Sequence, residues 1–218
     1  MTTQTKKQVK ETFEYKAEMK QLLQLIAHSL YTHPEVFIRE LVSNSSDALN
    51  KIRFKKLTEK NVYQPDKELR IDIKIDEEKQ TFSISDTGLG MTKDNLINQL
   101  GTVAKSGTSE FLEQLKKGKD KADGSLIGQF GVGFYSVYMV TDKISVKTRN
   151  YEEGSQGYKW TSKGDEKFEI TEAKKEDRGT QIYFKLKDEY KEFATEAKVK
   201  AILKKYSNFI EYPIYLNG

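Results

Sequence analysis

The chain of 218 residues contains no cysteine and only two histidines. The missing thiols exclude disulfides, thiolate metal sites and a cysteine nucleophile, and they are typical of a reducing compartment. No apolar run approaches the roughly 18 residues of a membrane span, and residues 1–14 lack the apolar stretch of a signal peptide. We therefore expect a soluble, cytoplasmic protein that has no membrane partner.

Charged residues are abundant, but neither sign dominates. The chain has 37 Lys and Arg against 33 Asp and Glu, a net charge of +4. Proteins that bind nucleic acids usually segregate their basic residues on one face, whereas basic and acidic residues alternate here, as in residues 174–178. We expect no nucleic-acid partner. The 12 Tyr and 11 Phe can build one proper core, so a single domain is the default prediction.

Hydrophobic periodicity predicts helices early in the chain and antiparallel strands later. The fold class is therefore α+β, a two-layer sandwich with helices on one face of a mixed, mainly antiparallel sheet. Residues 1–11 are predicted to be a flexible N-terminus. The predicted helices cover residues 19–30, 33–57, 96–100 and 192–209, and the predicted strands cover 12–15, 69–75, 82–84, 144–146, 158–161, 168–171, 180–186 and 211–216.

A polar stripe runs along the second predicted helix, which a T-x-x-E capping box introduces at residues 32–35. Glu40, Asn44 and Asp47 stand at i, i+4 and i+7, within an arc of roughly 60° that borders the buried face. Residues 43–47 are five consecutive weak helix formers, which a helix serving only as scaffold rarely tolerates. The stripe is either a solvated edge or part of a site.

Two glycine motifs follow. Asp86 and the D-x-G-x-G sequence at residues 86–90 end a strand, which fits either a plain turn or a fixed carboxylate beside a ligand. The G-x-x-G-x-G sequence at residues 128–133 precedes a helix-compatible segment, where exposed N–H groups suit phosphate. Its spacing excludes the dinucleotide, P-loop and kinase motifs. Seven of the 14 glycines lie between residues 101 and 133, which predicts a mobile lid.

These motifs, together with Gly179-Thr180, occur in an order that resembles the GHKL group of ATPases, whose ATP-binding (Bergerat) sandwich has helices on an antiparallel sheet. Residues 37–48, 101–108 and 128–134 narrow the resemblance to the ninety-kilodalton heat-shock chaperone family of the bacterial HtpG type. The resemblance covers residues 12–218 and implies a single nucleotide-binding domain there, with a lid at about residues 101–131. The family's middle and C-terminal domains have no counterpart in this chain.

The resemblance also implies roles for individual residues. Glu40 would be the catalytic general base that orients the attacking water, and Arg39, the second catalytic residue, would shape its surroundings. Asn44 would hold Mg²⁺, and Asp86 would accept a hydrogen bond from the adenine amino group. The implied nucleotide-binding residues are Asn44, Asp47, Ala48, Asp86, Gly90, Met91, Asn98, Gln99, Lys105, Gln129, Gly131, Val132, Gly133, Phe134 and Thr180.

The implied activity is binding of ATP or ADP with Mg²⁺ and hydrolysis of ATP to ADP and phosphate. In such chaperones hydrolysis drives conformational cycling for the folding of client proteins. The isolated domain would be a monomer with weak or absent turnover, whereas the full-length protein would be a homodimer whose other domains and clients are partners. The alternatives are a nucleotide-gated interaction module without hydrolysis, another GHKL ATPase, and a carboxylate-based hydrolase using Glu40 and Asp47.

Overall fold

The computed structural model describes residues 9–15, 33–101 and 133–218. The predicted helix at residues 19–30 and most of the predicted lid at 101–131 lie outside this part of the chain. So do the capping Thr32 and all but the last three residues of the predicted flexible N-terminus.

Eight strands form one sheet in the order β1-β6-β5-β4-β7-β3-β2-β8. Every neighbouring pair is antiparallel except β2 and β8, which run parallel. The predicted mixed, mainly antiparallel sheet is therefore confirmed. The strands are β1 Lys10–Glu14, β2 Ile71–Asp76, β3 Thr81–Asp86, β4 Ile144–Arg149, β5 Gly157–Ser162, β6 Lys167–Glu172, β7 Gly179–Lys185 and β8 Ile214–Leu216.

Helix α1, Val36–Thr58, supplies much of the core. Its Phe37 ring meets the rings of Phe82, Phe184 and Phe193 edge-on at centroid distances of 5.4, 5.8 and 5.3 Å. Such aromatic contacts add to the burial of apolar area that stabilises the fold. Because Phe82 and Phe184 lie on the paired strands β3 and β7, this cluster fixes α1 against the centre of the sheet.

Shorter helical segments complete the helical layer. Helix α2, Lys93–Asn95, begins with a capping box from Thr92 and continues into a π turn, Leu96–Leu100. A 3₁₀ helix, Gly133–Met139, follows the glycine motif, and all seven of its residues are buried. It packs against α1, so the end of the glycine motif is brought beside the polar stripe of that helix.

The C-terminal helix differs from the prediction of one helix over residues 192–209. The structure has a 3₁₀ helix, Asp188–Ala194, and then α3, Glu196–Tyr206. Between them Thr195 has an extended backbone with φ −98° and ψ 139°. Phe193 and Ala194 turn into the core while Val199 and Ile202 bury a second helical face, so two short elements cover the sheet where the periodicity indicated one.

Candidate active site

Asp86 ends β3, and its carboxylate is held from two sides. Oδ1 accepts hydrogen bonds from the backbone N–H of Gly88 at 2.8 Å and of Thr180 at 3.4 Å. The side chain is buried, and burial raises the pKa of this carboxyl to about 6, against the opposing effect of these two hydrogen bonds. A buried acidic group at a glycine turn with such a shift is typical of functional sites.

The backbone of the turn after Asp86 lies close to two neighbouring elements. A Cβ at Gly88 would come within 2.7 Å of both the Ala48 Cβ on α1 and Asp86 Oδ1. Gly90 has φ +64°, and a Cβ there would overlap the Arg149 carbonyl. The Leu89 N–H also donates to the Ala48 carbonyl at 3.2 Å. The D-x-G-x-G sequence thus lets this turn lie directly on α1 and on the end of β4.

A small network of hydroxyl groups joins Asp86 to the next two strands. Thr180 opens β7, and its Oγ1 lies 3.0 Å from the Oγ1 of Thr148 on β4. Thr148 Oγ1 also accepts from the backbone N–H of Met91 at 2.9 Å and donates to the Gly179 carbonyl at 3.2 Å. The network therefore fixes the predicted residues Asp86, Met91 and Thr180 relative to one another at one end of the sheet.

Glu40 lies in the first turns of α1 with only 7% of its surface exposed. Its Oε1 accepts from Arg39 Nε at 3.0 Å and from Arg39 Nη2 at 2.7 Å. The other oxygen, Oε2, lies where a Cβ on Gly133 would stand. Arg39 therefore holds one carboxylate oxygen, and the second faces the end of the glycine motif, an arrangement that suits a base acting on a bound water.

Most of the chain matches a known protein family. Residues 31–190 match the family described as histidine kinase-, DNA gyrase B- and HSP90-like ATPases. The chain belongs to this ATPase family. The matched residues include the polar stripe of α1, the Asp86 turn, the glycine motif and Thr180.

Several curated relatives of this chain carry the name chaperone protein HtpG. The protein from Chlorobium phaeovibrioides is 56% identical over 216 residues, which are 99% of this chain and 34% of the relative. The protein from Chlorobaculum tepidum is 55% identical over 209 residues, 94% of this chain and 33% of the relative. The protein from Fusobacterium nucleatum is 49% identical over 209 residues, which are 94% of this chain and 34% of the relative. The chain thus spans about a third of their length.

The other predicted site residues have varied positions. Asn44 and Asp47 are exposed on α1, and Asp47 lines a depression of about 400 Å³ between α1 and residues 209–212. Asn98 and Gln99 are exposed in the π turn, whereas Phe134 is buried beside Tyr135 and Trp160. The predicted residues outside the described part of the chain are Lys105, Gln129, Gly131 and Val132.

Sequence reasoning missed three residues that support the Asp86 turn. Thr148 shows no local signal, because its role depends on the β4–β7 register that sets it opposite Thr180. Arg178 is completely buried, and its Nη1 donates to the Thr87 carbonyl in the turn. Thr87 itself donates from Oγ1 to the Glu68 carbonyl at 2.6 Å. The sequence signals were the place of Arg178 directly before the Gly179-Thr180 motif and the place of Thr87 inside the D-x-G-x-G motif.

The described part of the chain has neither a metal-binding cluster of side chains nor a membrane-spanning helix. No group of three or more His, Cys, Asp or Glu side chains in residues 9–15, 33–101 and 133–218 is arranged to hold a metal ion. Within the same ranges, no helix combines the length and the apolar character needed to cross a bilayer.

Proposed function

We propose that the chain is the nucleotide-binding domain of a molecular chaperone of the HtpG kind. In this proposal it binds ATP and ADP with Mg²⁺ and hydrolyses ATP to ADP and phosphate, and hydrolysis drives the conformational cycle that folds client proteins. The observation that carries the proposal is the buried Asp86 carboxylate, fixed at the end of β3 within the hydroxyl network of Thr148 and Thr180.

Asp86 is proposed to recognise the adenine ring. A carboxylate accepts hydrogen bonds and cannot donate them while it is ionised, which matches the exocyclic amino group of adenine. Gly88 and Thr180 hold Oδ1 in place, so the geometry of the acceptor is set before the ligand arrives. The neighbouring Ala48, Gly90 and Met91 are proposed to line the same pocket, and Asn98 and Gln99 its rim.

Glu40 is proposed as the general base at the γ-phosphate. Arg39 acts as its positioning residue, because both of its donors bind Oε1 and leave Oε2 directed at Gly133. Gly133 and Phe134 begin the 3₁₀ helix beside this oxygen. Lys105 and the N–H groups of Gln129, Gly131 and Val132 are proposed to contact the phosphates, and residues 101–131 to form the lid over them.

Asn44 is proposed as the protein ligand of Mg²⁺. Its amide oxygen is the hard donor that Mg²⁺ prefers, and it is exposed one helical turn beyond Glu40. Mg²⁺ keeps several waters and takes its remaining ligands from substrate phosphates, so one protein ligand fits. When bound, the ion supplies neutralisation of the developing phosphate charge. Asp47 is proposed to contribute at the edge of the same site.

The larger assembly is part of the proposal. Residues 12–218 are proposed to be one domain, monomeric when isolated, with slow or absent turnover. In a protein of the relatives' full length, middle and C-terminal domains would complete the phosphate site and form the homodimer, and client proteins would be the further partners. We propose a cytoplasmic location. A steady-state rate for the isolated chain equal to that of a full-length relative would contradict the proposed dependence on other domains.

Replacement of Glu40 by alanine tests the hydrolytic role. In a protein carrying the remaining domains, Glu40→Ala should lower ATP turnover at least about 100-fold, since a positioned general base contributes about 10²–10⁴. Nucleotide affinity should stay nearly unchanged, because the base acts on the water. Glu77→Ala, which removes an exposed carboxylate in the β2–β3 turn, is the matched control. Loss of binding in a folded Glu40→Ala protein would refute the role.

A further inference from the structure

The loop between β6 and β7, residues 173–178, carries two basic side chains whose charges act on the Asp86 carboxylate. Arg178 is completely buried, and Lys175 is partly buried. Asp86 acts electrostatically on both of them, and both in turn lower its pKa. Burying a cation is costly unless it is paired with an opposite charge and hydrogen-bonded. The burial of two cations whose charges act on one buried carboxylate therefore needs an explanation.

Arg178 acts on the backbone of the turn itself. Its Nη1 donates to the carbonyl of Thr87, the residue between Asp86 and Gly88. The N–H of Thr87 donates to the Arg70 carbonyl at 3.2 Å, and its Oγ1 accepts from the Arg70 N–H at 3.0 Å. Thr87 is thus held through its N–H, its hydroxyl and its carbonyl, and Arg178 supplies the contact to the carbonyl.

Lys175 contributes charge without touching the turn. Its Nζ donates to the Asp177 carbonyl at 2.7 Å and to the Arg178 carbonyl at 3.4 Å. Burial lowers the pKa of this amine to about 8, and the nearby Asp86 and Asp177 carboxylates oppose that change. The amine is therefore held on two carbonyls of its own loop as a cation at neutral pH.

We propose that Arg178 and Lys175 are positioning residues for adenine recognition. Arg178 fixes the Asp86–Gly88 turn through the Thr87 carbonyl, and Lys175, held on the Asp177 and Arg178 carbonyls, supplies a positive charge that favours the ionised, hydrogen-bond-accepting form of the Asp86 carboxylate. This inference rests on the proposed adenine-binding role of Asp86.

The other charged groups near the loop leave this assignment intact. Asp177 is engaged with Lys67, whose Nζ lies 2.5 Å from its Oδ1, and with Gln64 Nε2 at 2.9 Å. Lys67 and Lys147 both act electrostatically on Lys175 and lower its pKa. Lys174 has a side chain that is 90% exposed. Lys175 and Arg178 are two basic groups whose charges lower the pKa of Asp86.

The sign of the pH dependence follows from the chemistry of the acceptor. Nucleotide binds the ionised carboxylate, so affinity is retained above the pKa of Asp86 and is lost as the pH falls through it. Removing a neighbouring cation favours the protonated carboxyl and raises that pKa. Lys175→Met should therefore move the acidic midpoint of ADP binding upward by about half a pH unit, which weakens binding about threefold near pH 5 and little near pH 8.

The experiment measures ADP affinity by calorimetry from about pH 5 to pH 8 and, in parallel, titrates the Asp86 carboxyl carbon by NMR in the ligand-free protein. Lys174→Met is the matched control, because it removes the same charge from an exposed neighbour. Lys175→Arg should restore the wild-type midpoint. Arg178→Lys keeps the charge but not the fork geometry, and should weaken ADP binding severalfold at every pH without moving the midpoint.

The outcomes separate this inference from the proposed function. Suppose that ADP binds and that Asp86→Asn weakens this binding, but that the acidic midpoint is the same in Lys175→Met as in Lys174→Met. The inference is then wrong and the adenine role stands. If ADP does not bind the wild-type chain, the proposed function is wrong. The NMR titration still tests the electrostatic coupling in that case, because it needs no ligand. An upward movement of the Asp86 midpoint in Lys175→Met alone supports the inference.

Discussion

Asp86→Asn should weaken nucleotide binding and strengthen the fold at the same time. Asparagine retains an Oδ1 that can accept from the Gly88 and Thr180 N–H groups, which now bind the aspartate. The second oxygen becomes an NH₂ donor that would face the donor of adenine. Loss of a charged hydrogen bond of about 1.5–3 kcal/mol lowers the affinity about 10- to 150-fold. Calorimetric titration with ADP measures this change.

The opposite effect on stability follows from the burial of Asp86. Its folded-state pKa of about 6 exceeds the ordinary value of 3.8, so the ionised carboxylate costs stability, and stability is lost as the pH rises from 3.8 through about 6. At about 1.36 kcal/mol per pH unit the cost above pH 6 is about 3 kcal/mol. Asparagine avoids this cost because it does not titrate.

Denaturant unfolding at two pH values measures the stability effect. The advantage of Asp86→Asn over wild type in free energy of unfolding should grow by about 2 kcal/mol between about pH 4.5 and pH 7.5. A gain in stability accompanied by loss of binding is expected where a strained group serves function. Unchanged ADP affinity in the folded variant would refute the adenine role. A stability difference independent of pH would refute the account of Asp86 burial.

Two glycine substitutions test close approaches in the site. Gly133→Ala should lower ATP turnover at least about tenfold in a protein with the remaining domains, because its Cβ would displace Glu40 Oε2 and small misplacements of a base are costly; turnover equal to wild type would contradict the placement. Gly179→Ala should destabilise the fold by more than Gly154→Ala in chemical denaturation. Both glycines have positive φ, +101° and +76°, but only at Gly179 would the Cβ overlap the Asp86 carbonyl, whereas nothing lies within 4 Å at Gly154. Equal losses would show that this overlap carries no cost.

Much of the sheet could be predicted because its strands alternate in hydrophobicity. The predicted hairpin of β2 and β3 is confirmed, with Ile73 opposite Ile84 and Ile71 opposite Asp86. The local pattern of this hairpin was therefore enough to predict that Asp86 lies at the end of a strand. The parallel pairing of β8 with β2 could not be predicted, because it depends on the path of the chain between distant segments.

The supporting residues of the site were beyond sequence reasoning for a similar reason. The contact of Arg178 with Thr87 and that of Glu40 with Gly133 join residues far apart in sequence. A buried arginine also contradicts the usual expectation that such side chains are exposed. The break at Thr195 escaped the helical pattern because residues on both sides of it are apolar at compatible spacing, and packing on the sheet decided where each helix ended.

The most direct test of the account is a calorimetric titration of the wild-type chain with ADP and Mg²⁺, with GDP and Mg²⁺ as the matched control. The ionised Asp86 carboxylate accepts from the adenine amino group, whereas guanine presents a carbonyl oxygen at that position and would place two acceptors together. ADP should therefore bind and GDP should not. Equal binding of both nucleotides, or binding of neither, would contradict the assignment of Asp86 as the adenine-recognising residue.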